Sequence, residues 1–188
     1  MKAFAYLAAV VVAVIGIGVG VSASSWNQSL DQFNDHALRF DYPTKWTVET
    51  YQDGSSFSNA IVFLSNKTMH APCVRNNNVA GYSVTCDAPL SRLGYDGVLV
   101  EWWSCGFPGW TLAKQAGQPT SVSGRPAKES VVSGRFWLKG AQQDITVVIA
   151  RTIESNFFEV NAFLSGPDLA QERSDVRAMI ASTKILQP

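Results

Sequence analysis

The sequence predicts an α+β fold: a single domain whose mainly antiparallel sheet is covered by helices. Three observations point there. Ile61-Val62-Phe63-Leu64, Val98-Leu99-Val100 and Ile145-Thr146-Val147-Val148-Ile149-Ala150 are nearly continuous apolar runs. A strand apolar on both sides needs cover on both faces of its sheet. The strand-like runs follow one another through short turns, which favours antiparallel pairing. Cover is available near the C-terminus, where Leu169, Val176, Met179 and Ile180 fall at helical spacing after Gly166-Pro167-Asp168.

Taken in order, the chain opens with Lys2 and an uncharged apolar run from Ala3 to Val21. Val21-Ser22-Ala23 offers small residues for signal cleavage before Ser24, while nineteen apolar residues also approach the length of a membrane span. Residues 1–23 are therefore expected to be a signal peptide or an N-terminal membrane anchor. Either places the rest outside the cytoplasm, secreted or held at the cytoplasmic membrane. Residues 24–35 read as a polar tether and 36–188 as the domain. His36–Tyr42 alternates, and Pro43-Thr44-Lys45 turns it into Trp46–Tyr51, predicting a hairpin. Further strands are expected at Ala60–Ser65, Gly81–Cys86, Val98–Trp103, Ala127–Val132, Asp144–Ile153 and Phe157–Leu164. The helix after Gly166 should carry Pro167 in its first turn and Asp168 near the positive end of its dipole. Thr111–Ala116 is a shorter helical candidate.

Composition limits the partners. Fifteen basic residues balance fifteen acidic ones across 188 residues. Without residues 1–23 the net charge is about −1, which offers no clustered basic excess for nucleic acid and implies no strongly charged partner. The ten Phe, six Trp and five Tyr supply ample core material.

The chemistry-bearing residues are few. The chain lacks a Gly-x-Ser-x-Gly elbow, a His-Glu-x-x-His pair, a phosphate loop and a dinucleotide fingerprint. No catalytic residue, metal or cofactor is expected. His36 and His70, the only possible imidazole bases, fall at a strand start and in a polar stretch. His70, Cys73, Cys86 and Cys105 could ligate a metal on paper, but their gaps are long and single rather than the close pairs of structural zinc sites. Glu101 and Glu159 interrupt apolar strands. A three-residue loop at Glu154-Ser155-Asn156 would place Arg151 opposite Glu159, predicting an ion pair. Trp102 and Trp103, adjacent on a strand, must point to opposite faces. Phe107 and Trp110 flank Pro108-Gly109 in a loop and are the candidate binding residues.

Leu38-Arg39-Phe40-Asp41-Tyr42-Pro43-Thr44-Lys45-Trp46-Thr47-Val48 resembles the opening hairpin of the PsbP-like (Mog/PsbP-type) group. Gly97-Val98-Leu99-Val100-Glu101-Trp102, Gly106-Phe107-Pro108-Gly109, Gly124-Arg125-Pro126-Ala127 and Ala162-Phe163-Leu164-Ser165-Gly166-Pro167-Asp168 are similar to small bacterial extracytoplasmic members. The resemblance spans roughly Ala37 to Ile185 and implies an α/β/α sandwich, without implying a reaction. The cysteine that lipid-anchors many bacterial members is missing here. No residue-level match to Ran-contacting or photosystem-binding positions is found.

Three cysteines in an exported chain permit at most one internal bridge, with three pairings possible. Cys73 and Cys86 bracket a hairpin-like excursion, whereas Cys105 follows an interior strand. The resemblance, whose bacterial members carry two cysteines around this excursion, implies a Cys73–Cys86 disulfide with Cys105 reduced. The resulting expectation is a non-catalytic extracytoplasmic domain that binds an envelope protein, another envelope component or an apolar ligand. It would meet the membrane only through an uncleaved N-terminal segment. The alternative is an envelope hydrolase or thiol enzyme whose site follows no motif.

Overall fold

A computed structural model describes residues 29–35, 37–50, 58–70, 73–78, 81–86, 89–151 and 155–186, with 58–61, 73–78 and 81–86 described by backbone alone. The twelve strands are β1 (Leu30–Asn34), β2 (Leu38–Pro43), β3 (Thr47–Thr50), β4 (Ser58–Ser65), β5 (Cys73–Asn78), β6 (Gly81–Cys86), β7 (Gly97–Gly106), β8 (Gln118–Val122), β9 (Arg125–Ser133), β10 (Gln143–Ala150), β11 (Asn156–Ser165) and β12 (Lys184–Ile185). Among the described residues one α-helix forms, α1, spanning Leu169–Ser182. The strands form a seven-stranded sheet ordered β3-β4-β7-β11-β10-β9-β8, a three-stranded sheet ordered β1-β2-β12, and a two-stranded ribbon, β5-β6. All the strand pairings are antiparallel.

This corrects the expected α/β/α sandwich: the described protein is mostly β, and helices do not cover both faces of the sheet. The apolar strands do demand cover on both sides, but the residues that supply it differ. On one face Val62, Leu64, Val98, Val100, Trp102, Phe158, Val160 and Ala162 pack against Leu38 and Phe40 of β2 and against Val176, Met179 and Ile180 of α1. Trp102, fully buried, stacks on Phe40 with centroids 5.5 Å apart. On the other face loop residues Met69, Leu90, Leu93, Leu138 and Ala141 cover Phe63, Leu99 and Phe163. The segment expected as a second helix is a 3-10 turn, Leu112–Lys114, whose Leu112 packs beside Trp110.

The expected hairpin at residues 36–51 is instead a corner between sheets. Trp46 N–H donates to the Pro43 carbonyl at 2.9 Å, closing the turn, yet β2 pairs with β1 and β12 while β3 pairs with β4. Leu38 and Phe40 explain the separation. Their inward side chains are buried against the large sheet, so β2 must stack over it rather than lie alongside it. The tether expected at 24–35 gives up Leu30–Asn34, which forms β1 and extends the domain. The signal or anchor segment, like His36, lies outside the described residues; no described helix is long and apolar enough to cross a membrane.

The C-terminal helix follows its sequence signal with one shift: Asp168 is the N-cap, its carboxylate accepting from Gln171 N–H at 3.2 Å, and Pro167 precedes the cap. At the far end Ser182 Oγ accepts from the Asp41 amide at 2.9 Å, fixing α1 to β2.

Candidate functional site

The loop after β7 is a tight turn. Trp110 N–H donates to the Phe107 carbonyl at 3.1 Å, with Pro108 and Gly109 between them. Proline pre-sets the first of these positions, and Gly109 takes φ +73°, which a side chain would resist. The two candidate aromatics separate here. Trp110 folds back and stacks on Phe157, centroids 4.3 Å apart and planes 9° from parallel, in a cluster with Cys105, Val148 and Leu112. Its indole Nε1 is buried without a hydrogen-bond partner. Phe107 remains 48% exposed, its ring 5.9 Å from that of Phe157. The backbone beneath it is held by a Phe107 N–H bond to the Ser155 carbonyl, 3.0 Å.

Trp103, opposite in direction to Trp102, marks a second feature. On its face, Glu101, Asn161 and Thr146 stand directly opposite one another on β7, β11 and β10, a polar row between the two apolar clusters. Glu159 and Asp144 flank it. Glu101 is only 5% exposed and accepts from Trp103 Nε1 at 3.3 Å. Asn161 Nδ2 donates to Glu159 Oε1 at 2.9 Å, and the Thr146 hydroxyl lies 3.2 Å from Asp144 Oδ2. Burial pushes the Glu101 carboxyl up to about 7; the Trp103 hydrogen bond opposes this and the charges of Asp144 and Glu159 add to it. Burial raises Asp144 as well. Lys128, a nearby cation, is occupied elsewhere, donating to the carbonyls of Ala113 and Gln115. The row can hold a proton near neutral pH on the buried Glu101 carboxyl.

The expected Arg151–Glu159 ion pair does not form. The hairpin register opposes Glu159 to Val148, while the Arg151 amide bonds to the Asn156 carbonyl at 3.2 Å. That three-residue offset from the expected pairing puts the two side chains on opposite faces. Arg151 lies over the Phe158 ring, 4.7 Å from its centroid, and donates to Ser104 Oγ at 3.2 Å. Ser155, just before β11, takes a left-handed conformation, φ +68°.

Cys73 and Cys86 are directly opposed in the β5–β6 register, at the base of the ribbon. Residues 75–78 continue β5. Cys105 is buried, 6% exposed, at the end of β7 far from exposed His70, whose amide donates to Pro89 at 2.9 Å. Among the described residues no group of three or more His, Cys, Asp or Glu is placed to hold a metal ion. Asp144 was missing from the sequence candidates. Its signal was polarity at alternate positions on three strands (101/103, 144/146 and 159/161), visible only once those strands are known to be neighbours. No protein-family model matches this chain, and no curated protein sequence does.

Proposed function

We propose that this chain is a non-catalytic extracytoplasmic domain, secreted or membrane-tethered, that binds an envelope protein or apolar ligand through the turn at Phe107. The observation that carries the reading is the half-exposed Phe107 ring on a turn held by Pro108, Gly109 and the Trp110–Phe157 stack. A large apolar ring on a rigid support loses little conformational freedom when covered, which is how aromatic anchors dominate small interfaces. The export-like segment 1–23 supplies the compartment. A thiol enzyme is the weaker reading, because Cys105 lies behind Trp110 and Phe157. The test is co-purification of the full chain from its envelope, crosslinked, with and without Phe107→Ser. Loss of a specific partner or bound lipid in the variant supports the reading; an unchanged set of bound species refutes it.

A further inference from the structure

We propose that the opposite end of the seven-stranded sheet, carrying Tyr95 and Trp137, rests on an anionic phospholipid surface. Loops 66–70, 89–96 and 134–142 build this end and are tied to one another. Leu93 N–H donates to the Lys139 carbonyl at 2.8 Å, Lys67 Nζ to the Tyr95 carbonyl at 2.8 Å, and Arg92 forms a β-bridge with Lys139. The inner side chains of these loops are used in covering Leu99 and Phe163. Outside remain Tyr95, 73% exposed, and Trp137, 60% exposed and set edge-on to Phe163 at 5.1 Å. Arg92, Arg135 and Lys139 are exposed beside them, and none forms an ion pair among the described residues. Segment 134–142 contains no acid and 89–96 only Asp96, which lies towards Glu172 of the helix. Tryptophan and tyrosine rings among unpaired cations match the chemistry of a headgroup layer carrying negative charge.

The path of the chain points the same way. The Ser29 carbonyl accepts from the Thr44 amide at 3.1 Å, and Thr47 Oγ1 donates to the Lys67 carbonyl at 3.1 Å. The chain therefore enters the domain at this end. The apolar run Ala3–Val21 joins Ser29 through residues 22–28, which reach at most about 25 Å when fully extended. A chain retained by that run holds these loops close to a bilayer. β7 then carries the Phe107 turn about 30 Å farther out. The lipid-facing end and the Phe107 turn are separate surfaces, so either assignment can fail without the other.

The test reconstitutes the full chain in phosphatidylcholine vesicles, with and without phosphatidylglycerol. Acetylation is read at Lys139, and hydroxyl-radical oxidation at Tyr95 and Trp137, with Lys114 and Lys184 as references. Phosphatidylglycerol should lower labelling at the three sites several-fold and leave the references unchanged. Replacing Arg92, Arg135 and Lys139 together by Gln should restore labelling of Tyr95 and Trp137. Each cation contributes about fivefold to surface affinity, so the triple change weakens it on the order of 100-fold. If the mature protein begins at Ser24, co-sedimentation with the same vesicles replaces footprinting and must show the same dependence. Equal labelling or sedimentation with both lipids, or a response that survives the triple change, overturns the proposal. Protection seen only in native envelope membranes also overturns it, by assigning these loops to a protein partner.

Discussion

Glu101→Gln probes the carboxyl at the centre of the polar row. Burial, together with the charges of Asp144 and Glu159, places its titration at about 7 against an ordinary 4.5. That gap of about 2.5 units, at about 1.36 kcal/mol each, corresponds to about 3 kcal/mol. The sign follows from proton counting. Between about pH 4.5 and 7 the folded chain holds a proton that the unfolded chain has released, so stability falls as pH rises through this window. Above about pH 7 the folded protein carries the full penalty of a buried charge. Glutamine is neutral throughout, nearly isosteric, and its amide oxygen can still accept from Trp103 Nε1. The variant should therefore exceed the parent by about 3 kcal/mol at about pH 8, and the difference should vanish near pH 4.5. For a domain of this size the gain corresponds to roughly 6–12 °C in Tm. Urea and thermal unfolding across this pH range measure it. Glu172 is also pushed up to about 7, by partial burial and by Asp96 and Asp168, but it affects both proteins alike and cancels in the difference. A difference independent of pH, or a variant less stable at pH 8, would refute the reasoning.

Three further outcomes are expected. Peptide mapping without reduction should recover Cys73 linked to Cys86. Opposed residues on antiparallel strands have Cα atoms about 4.5–5.5 Å apart, within disulfide range, and closing this short loop stabilises by about 3 kcal/mol; a bridge to Cys105 would contradict it. Trp102→Ala should lower stability by about 3–5 kcal/mol in urea unfolding, because it empties the space against Phe40 between the two sheets. Asp168→Ala should cost about 1 kcal/mol by the same measurement through loss of the helix cap, and no change would show that the Gln171 amide finds another acceptor.

The strands legible in the sequence were those whose own residues declare them. The apolar cores of β4, β7, β10 and β11, and the capped start of α1, fall where patterning places them. β8 went unread because Gln118-Pro119-Thr120-Ser121 is polar and exposed. It is an edge strand blunted by proline, and its place depends on the Ser123-Gly124 turn, where both residues have positive φ. β1 and β12 are short and gain their strand geometry from β2, a partner distant in sequence from β12. Layering failed for a related reason. Apolarity on both faces dictates that cover exists but not its kind, and Leu38 and Phe40 satisfy it as well from a strand as from a helix.

The site residues separate along the same line. Opposite directions for Trp102 and Trp103 need only the two-residue period of a strand, and the turn at Phe107 needs only Pro-Gly chemistry. An interaction across strands needs register, and register depends on loop length. One loop longer by a residue moves the pairing, and here the offset carried Arg151 to the face opposite Glu159. The consequence reaches beyond a lost ion pair. With Arg151 on the far side and Lys128 donating to the Ala113 and Gln115 carbonyls, no ion pair reaches the Glu101 row among the described residues. Three carboxylates are left to share that face with hydrogen-bonding neutrals, Trp103, Asn161 and Thr146. Burial, to which the charges of Asp144 and Glu159 add, is what lets Glu101 hold its proton close to neutral pH.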